Sequence, residues 1–308
     1  MLEINRTGIP PLVLCVLFAP LLLGIINRTK AIVGGRTGQP LFQLYYDLLK
    51  LVRKGAVYSR TTTWVFRAGP IISLAAVLVA ATLLPFGNCE SLISFNGDLI
   101  LLAYLLGLGR LCTALAALDT GSPFEGMGAN REVFFSALAE PALLLGLAAI
   151  ARDTGTLSLT SIHMALASDE WTSSGLILAL VAVVLLVVFL AENSRIPVDD
   201  PTTHLELTMI HEVMVLDHSG PDFAFILYGA AVKLWVLGAL IVNVTLPAKT
   251  GLAVVDFGLA TAAMFALAVL VGLIEATMAR LRMPRVPQLL LGATALSALA
   301  LVLEFGGL

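Results

Sequence analysis

The sequence predicts an all-α integral membrane protein of about eight transmembrane helices plus cytoplasmic amphipathic helices, forming a single polytopic domain over residues 1–308. Three observations lead there. The chain is 58% hydrophobic and 13% charged, whereas soluble domains carry roughly a quarter charged residues. Its apolar residues gather in runs long enough to supply the ~20 residues that a helix needs to cross the hydrocarbon core. Its basic residues concentrate on alternate connections between those runs, as the positive-inside rule describes. Mean hydropathy is +0.95, and the net charge of −3 says little beside where the charges fall.

The runs place spans at residues 9–26, 68–86, 98–118, 132–150, 174–191, 222–243, 252–274 and 287–305. The N-terminus has no basic stretch and small-residue cleavage site of a signal peptide, so the first run is expected to remain a helix. One set of loops holds Arg28, Lys30, Arg36, Lys50, Arg53, Lys54, Arg60, Arg67, Arg131, Arg195, Arg280, Arg282 and Arg285. The opposite set holds only Arg6, Arg152 and Lys249. The first set is therefore expected in the cytoplasm, which puts both termini outside. Trp64 and Trp171 precede spans, where indoles favour the interface.

After the first span, Leu41, Leu44, Tyr45, Leu48, Leu51 and Val52 recur at helical spacing, with Gln43, Asp47, Lys50 and Lys54 on another face. This predicts an amphipathic helix along the cytoplasmic surface, entered by a turn around Gly34, Gly35, Gly38 and Pro40. No internal repeat of the kind that builds inverted-repeat transporters is visible.

The long connection at residues 191–220 contains Asp200-Pro201, a carboxylate cap followed by proline at the first helical position. A helix running from there to about Leu216 would carry His204, Thr208, His211 and Glu212 on one polar face. His204, His211 and His218 are seven apart, ~10 Å along a helix, which suits one metal poorly. The three cysteines, Cys15, Cys89 and Cys112, are scattered, so iron–sulfur, structural zinc and disulfide frameworks find no pattern here. Gly107-Leu-Gly109 precedes no strand and is not a nucleotide loop. No catalytic centre is legible in the chain.

Arg110, Glu140 and Lys233 fall near mid-span. A charge there costs ~2.5–3.5 kcal/mol on the insertion scale and faces a bundle interior with partners. Pro141 after Glu140 frees a backbone carbonyl in that helix. Two readings stay open: a hydrated ion path, or a static Glu140–Lys233 or Glu140–Arg110 pair. Glu192 and Glu275 lie at cytoplasmic span ends, where hydration is expected to be easy. Asp256 and Glu304 lie nearer the outside.

Residues 191–220 closely resemble the membrane-anchor subunit of formate hydrogenlyase and hydrogenase-4, of the H-subunit (subunit 1) family of respiratory complex I. The matching residues are Ala191, Glu192, Arg195, Pro197, Asp199, Pro201, Glu206 and Leu207. Gly35, Arg36, Gly38, Pro40, Gln43, Asp47, Lys50 and Lys54 resemble the family's first cytoplasmic loop. Residues 121–131 resemble its second, and Glu140 falls where the family carries a membrane glutamate. Quinone-reducing members tend to carry further acidic residues where this chain has Thr202 and His204, which favours the hydrogenase branch.

The resemblance implies a non-catalytic membrane subunit that docks a soluble redox arm. That arm would comprise a hydrogenase-like large subunit with a NiFe centre and a small subunit with iron–sulfur clusters; the chain itself would hold no cofactor. Arg36, Asp47, Lys50, Arg53, Arg195, Asp199, Asp200, His204 and His211 would form the docking loops. Glu140, Glu192, Glu206, Lys233 and Arg110 would form the ion path. Antiporter-like membrane subunits and the lipid bilayer would complete the surroundings, and nothing points to nucleic acid. The expected location is the inner (cytoplasmic) membrane. Rival readings are a quinone-binding subunit of a respiratory dehydrogenase, with a quinone-sized cavity beside the first amphipathic helix, a self-sufficient secondary ion transporter, and a purely structural anchor.

Overall fold

The computed structural model describes residues 3–166, 174–199, 209–246 and 250–306. In chain order the helices are α1 (Ile9–Val33), α2 (Gln43–Val52), α3 (Trp64–Thr82), α4 (Asp98–Asp119), α5 (Pro123–Thr154), α6 (Leu159–Ala165), α7 (Gly175–Glu192), α8 (Gly220–Thr245), α9 (Ala253–Thr277) and α10 (Val286–Gly306). Eight of them, all but α2 and α6, are long and apolar enough to cross a membrane. Two short antiparallel strands, β1 (Glu3–Ile4) and β2 (Ile93–Ser94), tie the start of the chain to the α3–α4 connection.

Helix α8 is the centre of the bundle: 72% of its most apolar window is buried, and it packs on α1, α2, α3, α7 and α9. Apart from a few polar residues such as Lys233 and Asn243, its sequence is apolar all round, which fits a helix surrounded by others. Close approach elsewhere depends on small residues, as membrane helix pairs require. A Cβ at Gly69 of α3 would lie 2.8 Å from the Ala116 methyl of α4. Asp119, at the end of α4, accepts hydrogen bonds from the Thr63 amide (2.6 Å) and hydroxyl (2.9 Å). It thereby places a carboxylate at the positive N-terminus of α3.

Helix α1 contains Pro20, which has no N–H to give to the Val16 carbonyl. The Tyr228 hydroxyl of α8 donates to that carbonyl at 2.8 Å, and the Tyr45 hydroxyl of α2 donates to the neighbouring Leu17 carbonyl at 2.5 Å. The amphipathic helix is thus pinned to the side of α1. It begins two residues later than the predicted segment and turns Leu44, Tyr45, Leu48 and Leu51 inward, leaving Tyr46, Leu49 and Val52 exposed.

Two predicted elements differ. The second cytoplasmic loop, residues 121–131, is mostly the start of α5. Pro123 stands at the first helical position after extended Ser122, an arrangement that starts a helix. At 32 residues, α5 is ~48 Å long and outruns the ~30 Å hydrocarbon core. The helix expected from Pro201 to Leu216 falls partly outside the described residues, which omit 200–208. Within the described part, only a 3₁₀ turn forms at Glu212–Val215. The Asp199 carboxylate accepts from the Ile210 amide at 3.2 Å and lies 3.4 Å from that of His211. Val213, Met214 and Val215 are all buried, a run that no one-sided helix could bury.

Gly24 is where α1 admits the chain leading into α2: a Cβ there would fall 2.0 Å from the Leu41 carbonyl oxygen. Gly24→Ala is expected to cost ~1–3 kcal/mol through overpacking and to expose α2 to protease. Gly258→Ala, with open space around it, is the control and should leave both stability and cleavage unchanged.

Candidate functional site

Four charged side chains from four helices meet inside the bundle. Arg110 of α4 donates through Nη1 to Glu192 Oε1 at 2.5 Å, and through Nη2 to Glu140 of α5. Lys233 Nζ of α8 lies 3.3 Å from Glu192 Oε2. The Glu192 side chain is 5% exposed, while that of Glu140 is 48% exposed at the surface of the chain.

Glu192 is the last residue of α7, where the helix dipole disfavours a carboxylate; two cations offset this. Helix α7, with 18 residues, spans only ~27 Å. Its end therefore meets α4 and α8 near their middles, and residues 193–199 fold back into the bundle. Irregular backbone at such depth is tolerated where it lines a cavity. That cavity has a volume of about 90 Å³ and is lined by Ser73, Arg110, Thr113, Glu132, Glu192, Asn193, Arg195, His211 and Lys233, with apolar residues of α1, α3 and α8. It is polar and roomy enough to hold water.

A second cavity, of about 570 Å³, opens between α1, α2 and the 193–199 and 211–218 segments. Gln43, Leu44, Asp47, Asp199, Phe223 and Ile226 are among its walls, and His211 borders both cavities. Burial and the Lys233 charge, opposed by Glu192, lower the His211 pKa from its ordinary 6.5 to about 4. His218 stacks on Phe66 with ring centroids 3.9 Å apart and planes within 8°. Burial lowers its pKa to about 4 as well, against the opposing charges of Asp222 and Asp217.

Beside the 193–199 segment, a further network closes that end of the bundle. Glu275 of α9, its side chain wholly buried, pairs with Lys30 of α1 at 2.9 Å and with Arg195 at 3.3 Å. Asp199 pairs with Arg280 at 2.8 Å, and Arg131 donates to the Met209 carbonyl at 2.9 Å.

The structure sorts the residues singled out in the sequence. Arg110, Glu140, Glu192 and Lys233 come together. Glu192 and Glu275, expected at hydrated span ends, are buried: the segment after α7 folds back beside Glu192, and its Arg195, together with Lys30, pairs with Glu275. Of the docking residues, Arg36, Lys50 and Arg53 are exposed. Asp47 accepts from Gln43 at 3.0 Å in the larger cavity. Arg195 and Asp199 are instead buried in ion pairs within the chain. Asp200, His204 and Glu206 lie outside the described residues. Asp256 caps its own loop, accepting from the Thr250 amide and hydroxyl.

Sequence reasoning misses Glu132 and Glu125, both buried. Hydropathy puts Glu132 at a boundary, as the first residue of its span, because the nine helical residues before it resemble a loop. Glu125 accepts from the Asp217 amide at 3.1 Å. Among the described residues no three His, Cys, Asp or Glu side chains converge as metal ligands.

A bundle of membrane-spanning length with a buried charged chamber and an adjoining cleft defines the class of protein, and comparison supplies the family. The family model for NADH dehydrogenase matches residues 9–305, and the chain belongs to that family, the subunit 1 family of complex I. It is 33% identical to formate hydrogenlyase subunit 4 of Escherichia coli over 282 residues, covering 88% of this chain and 89% of the relative. It is 34% identical to hydrogenase-4 component C of the same organism over 235 residues, 76% of this chain and 73% of the relative. NADH-ubiquinone oxidoreductase chain 1 of Triticum aestivum is 28% identical over 246 residues, 76% of this chain and 74% of its own length. The fold matches a chain of the membrane-bound sulfane sulfur reductase, an archaeal respiratory membrane complex, with a TM-score of 0.83 at 22% identity over 97% and 98% of the two chains.

Glu192→Gln leaves Arg110 and Lys233 short of their shared carboxylate. Removing one partner of a buried pair costs ~3–5 kcal/mol; with Glu140 still on Arg110, a loss near the lower end of that range is expected in detergent unfolding.

The two histidines set an acid limb. Unfolded, each binds a proton below its ordinary pKa near 6.5, whereas folded each stays neutral to about 4. Stability is therefore expected to fall as pH drops through that window. His218→Phe keeps the stack on Phe66 and should show a shallower fall in thermal midpoint between those two pH values.

Proposed function

We propose that this chain is the non-catalytic membrane-anchor and ion-coupling subunit of a formate hydrogenlyase-like or energy-converting [NiFe]-hydrogenase complex. One observation carries the reading: a succession of polar groups from the cytoplasmic cleft through His211 and Glu132 to Glu192, Lys233 and Arg110, ending at Glu140 on the lateral surface. A half-exposed carboxylate near mid-span is costly against lipid, which supports a polar membrane partner, antiporter-like, over that face. The exposed Arg36, Lys50 and Arg53 offer positive charge to a soluble arm whose large and small subunits hold the NiFe centre and iron–sulfur clusters. The two Escherichia coli relatives support the hydrogenase branch over most of the chain.

A second reading has an observation of its own. The 570 Å³ cavity beside α2 is what a quinone-binding subunit would need, in a family that also contains an NADH-ubiquinone oxidoreductase chain. Saturable labelling of α2 by a photoreactive quinone analogue in the purified assembly would favour it.

Glu140→Gln tests the first reading. In vesicles carrying the assembled complex, ion uptake coupled to hydrogen turnover is expected to fall several-fold while dye-linked hydrogenase activity stays intact. Uptake at the wild-type rate with full assembly would reduce Glu140 to a structural role.

A further inference from the structure

Several basic side chains at the α2 end of the bundle are paired with carboxylates: Lys30 and Arg195 with Glu275, and Arg280 with Asp199. Arg67 is not. It stands one turn into α3, is exposed, and makes no ion pair or hydrogen bond among the described residues. The acids of this corner are engaged elsewhere. Asp119 accepts from the Thr63 and Phe66 amides and the Thr63 hydroxyl, so the N-terminus of α3 is already occupied. Asp222 faces the Tyr58 hydroxyl.

Arg67 is nevertheless held in place. Its guanidinium carbon lies 4.1 Å from the centroid of the Tyr58 ring, over the face, a cation–π contact. Tyr58 meets Phe66 edge-on, with centroids 6.4 Å apart and planes at 89°. Phe66 stacks in turn on the buried His218. A column of rings therefore fixes the guanidinium at the surface while its N–H groups stay unused. A planar fork held in this way is suited to bidentate binding of a phosphate.

The face of α3 that carries Arg67 is otherwise apolar. Trp64 comes three residues before it and is 75% exposed. Ile71, Ala75 and Val79 follow at steps of four, all exposed, which sets them in one row along the helix. Tryptophan favours the headgroup level of a bilayer, and its indole N–H is a donor. Arg60, exposed four residues before Trp64, adds a second cation without an ion pair among the described residues. An acidic soluble protein would match the cations but not a row that runs down a membrane span. A lipid without net charge would match the row but leave two cations without counter-charge. A phosphate joined to acyl chains, with no amine to offset it, matches both.

We infer that Arg67, with Arg60 and Trp64, binds the headgroup of an anionic phospholipid whose acyl chains lie along Ile71, Ala75 and Val79 of α3. The site stands apart from the charged chamber and requires neither an ion path nor a redox arm.

The intact complex in nanodiscs of phosphatidylcholine, doped with phosphatidylglycerol bearing a photoreactive acyl chain, provides the test. Labelling is expected within residues 71–79, and unlabelled phosphatidylglycerol should compete it away where phosphatidylcholine and inorganic phosphate do not. Arg67→Gln should lower the labelling several-fold. Tyr58→Leu, which removes the ring beneath the guanidinium, should lower it less, and Tyr58→Phe should keep it. Arg6→Gln, at the other end of the bundle, should label like the wild type. If Arg67→Gln does not assemble, the competition series on the wild type decides. Equal labelling by a photoreactive phosphatidylcholine, or unchanged labelling of Arg67→Gln, means a lipid face without headgroup choice and overturns the inference. Competition by inorganic phosphate overturns it in favour of a free anion. Cross-linking of α3 to another subunit in place of lipid overturns it in favour of a protein cover.

Discussion

A charge inside a membrane bundle must find its partner within the protein, and the contact of Glu192 with Arg110 and Lys233 is where this chain meets that demand. The three side chains come from α7, α4 and α8, and Arg110 reaches on to Glu140 of α5. Four helices are thereby fixed at one depth. Lipid tails give helices no hydrophobic drive to associate, so such contacts and close packing at Gly69 or Gly24 set the arrangement. The same contacts hold the end of α7 inside the bundle.

The end of the bundle beyond the 193–199 segment obeys the same rule with other residues. Lys30, Arg195 and Glu275 join α1, the re-entrant segment and α9, while Asp199 and Arg280 join that segment to the α9–α10 connection. Charges that would look available for docking are consumed in building the platform. Among the described docking residues, Arg36, Lys50 and Arg53 around α2 stay exposed. Above the platform sits the larger cavity, and His211 separates it from the chamber. The family contains both hydrogenase-linked and quinone-linked relatives.

Much of this is legible in the sequence. Eight spans follow from hydropathy, and Arg110, Glu140 and Lys233 stand out because mid-span charge is costly. The amphipathic α2 follows from its period. Glu132 is hidden by a boundary: a polar stretch before an apolar run resembles a loop, yet Pro123 starts a helix that carries Glu132 well inside. Residue counting places Glu192 at a span end, which assumes that the next loop leaves the membrane. Arg195 and Asp199 bring that loop back, and no local periodicity encodes a loop folding onto its own bundle. The expected continuation of a helix to Leu216 fails for a related reason. The Asp199 carboxylate binds the Ile210 amide, a tertiary bond that capping rules do not contain.

The central claim is that the charges enclose a water-accessible chamber rather than a dry ion lock. Silver ion, small enough to follow water, tests it on Ser73, which lines the chamber, and on Ile71, which is exposed on the outer face of the same helix. In a background with Cys15, Cys89 and Cys112 replaced, Ser73→Cys is expected to react with silver ion, and Ile71→Cys to resist it inside the bilayer. Protection would be read as failure of later maleimide labelling of the denatured chain. If Ser73→Cys proves as inert as Ile71→Cys, the chamber is dry and Arg110, Glu192 and Lys233 only lock the helices together.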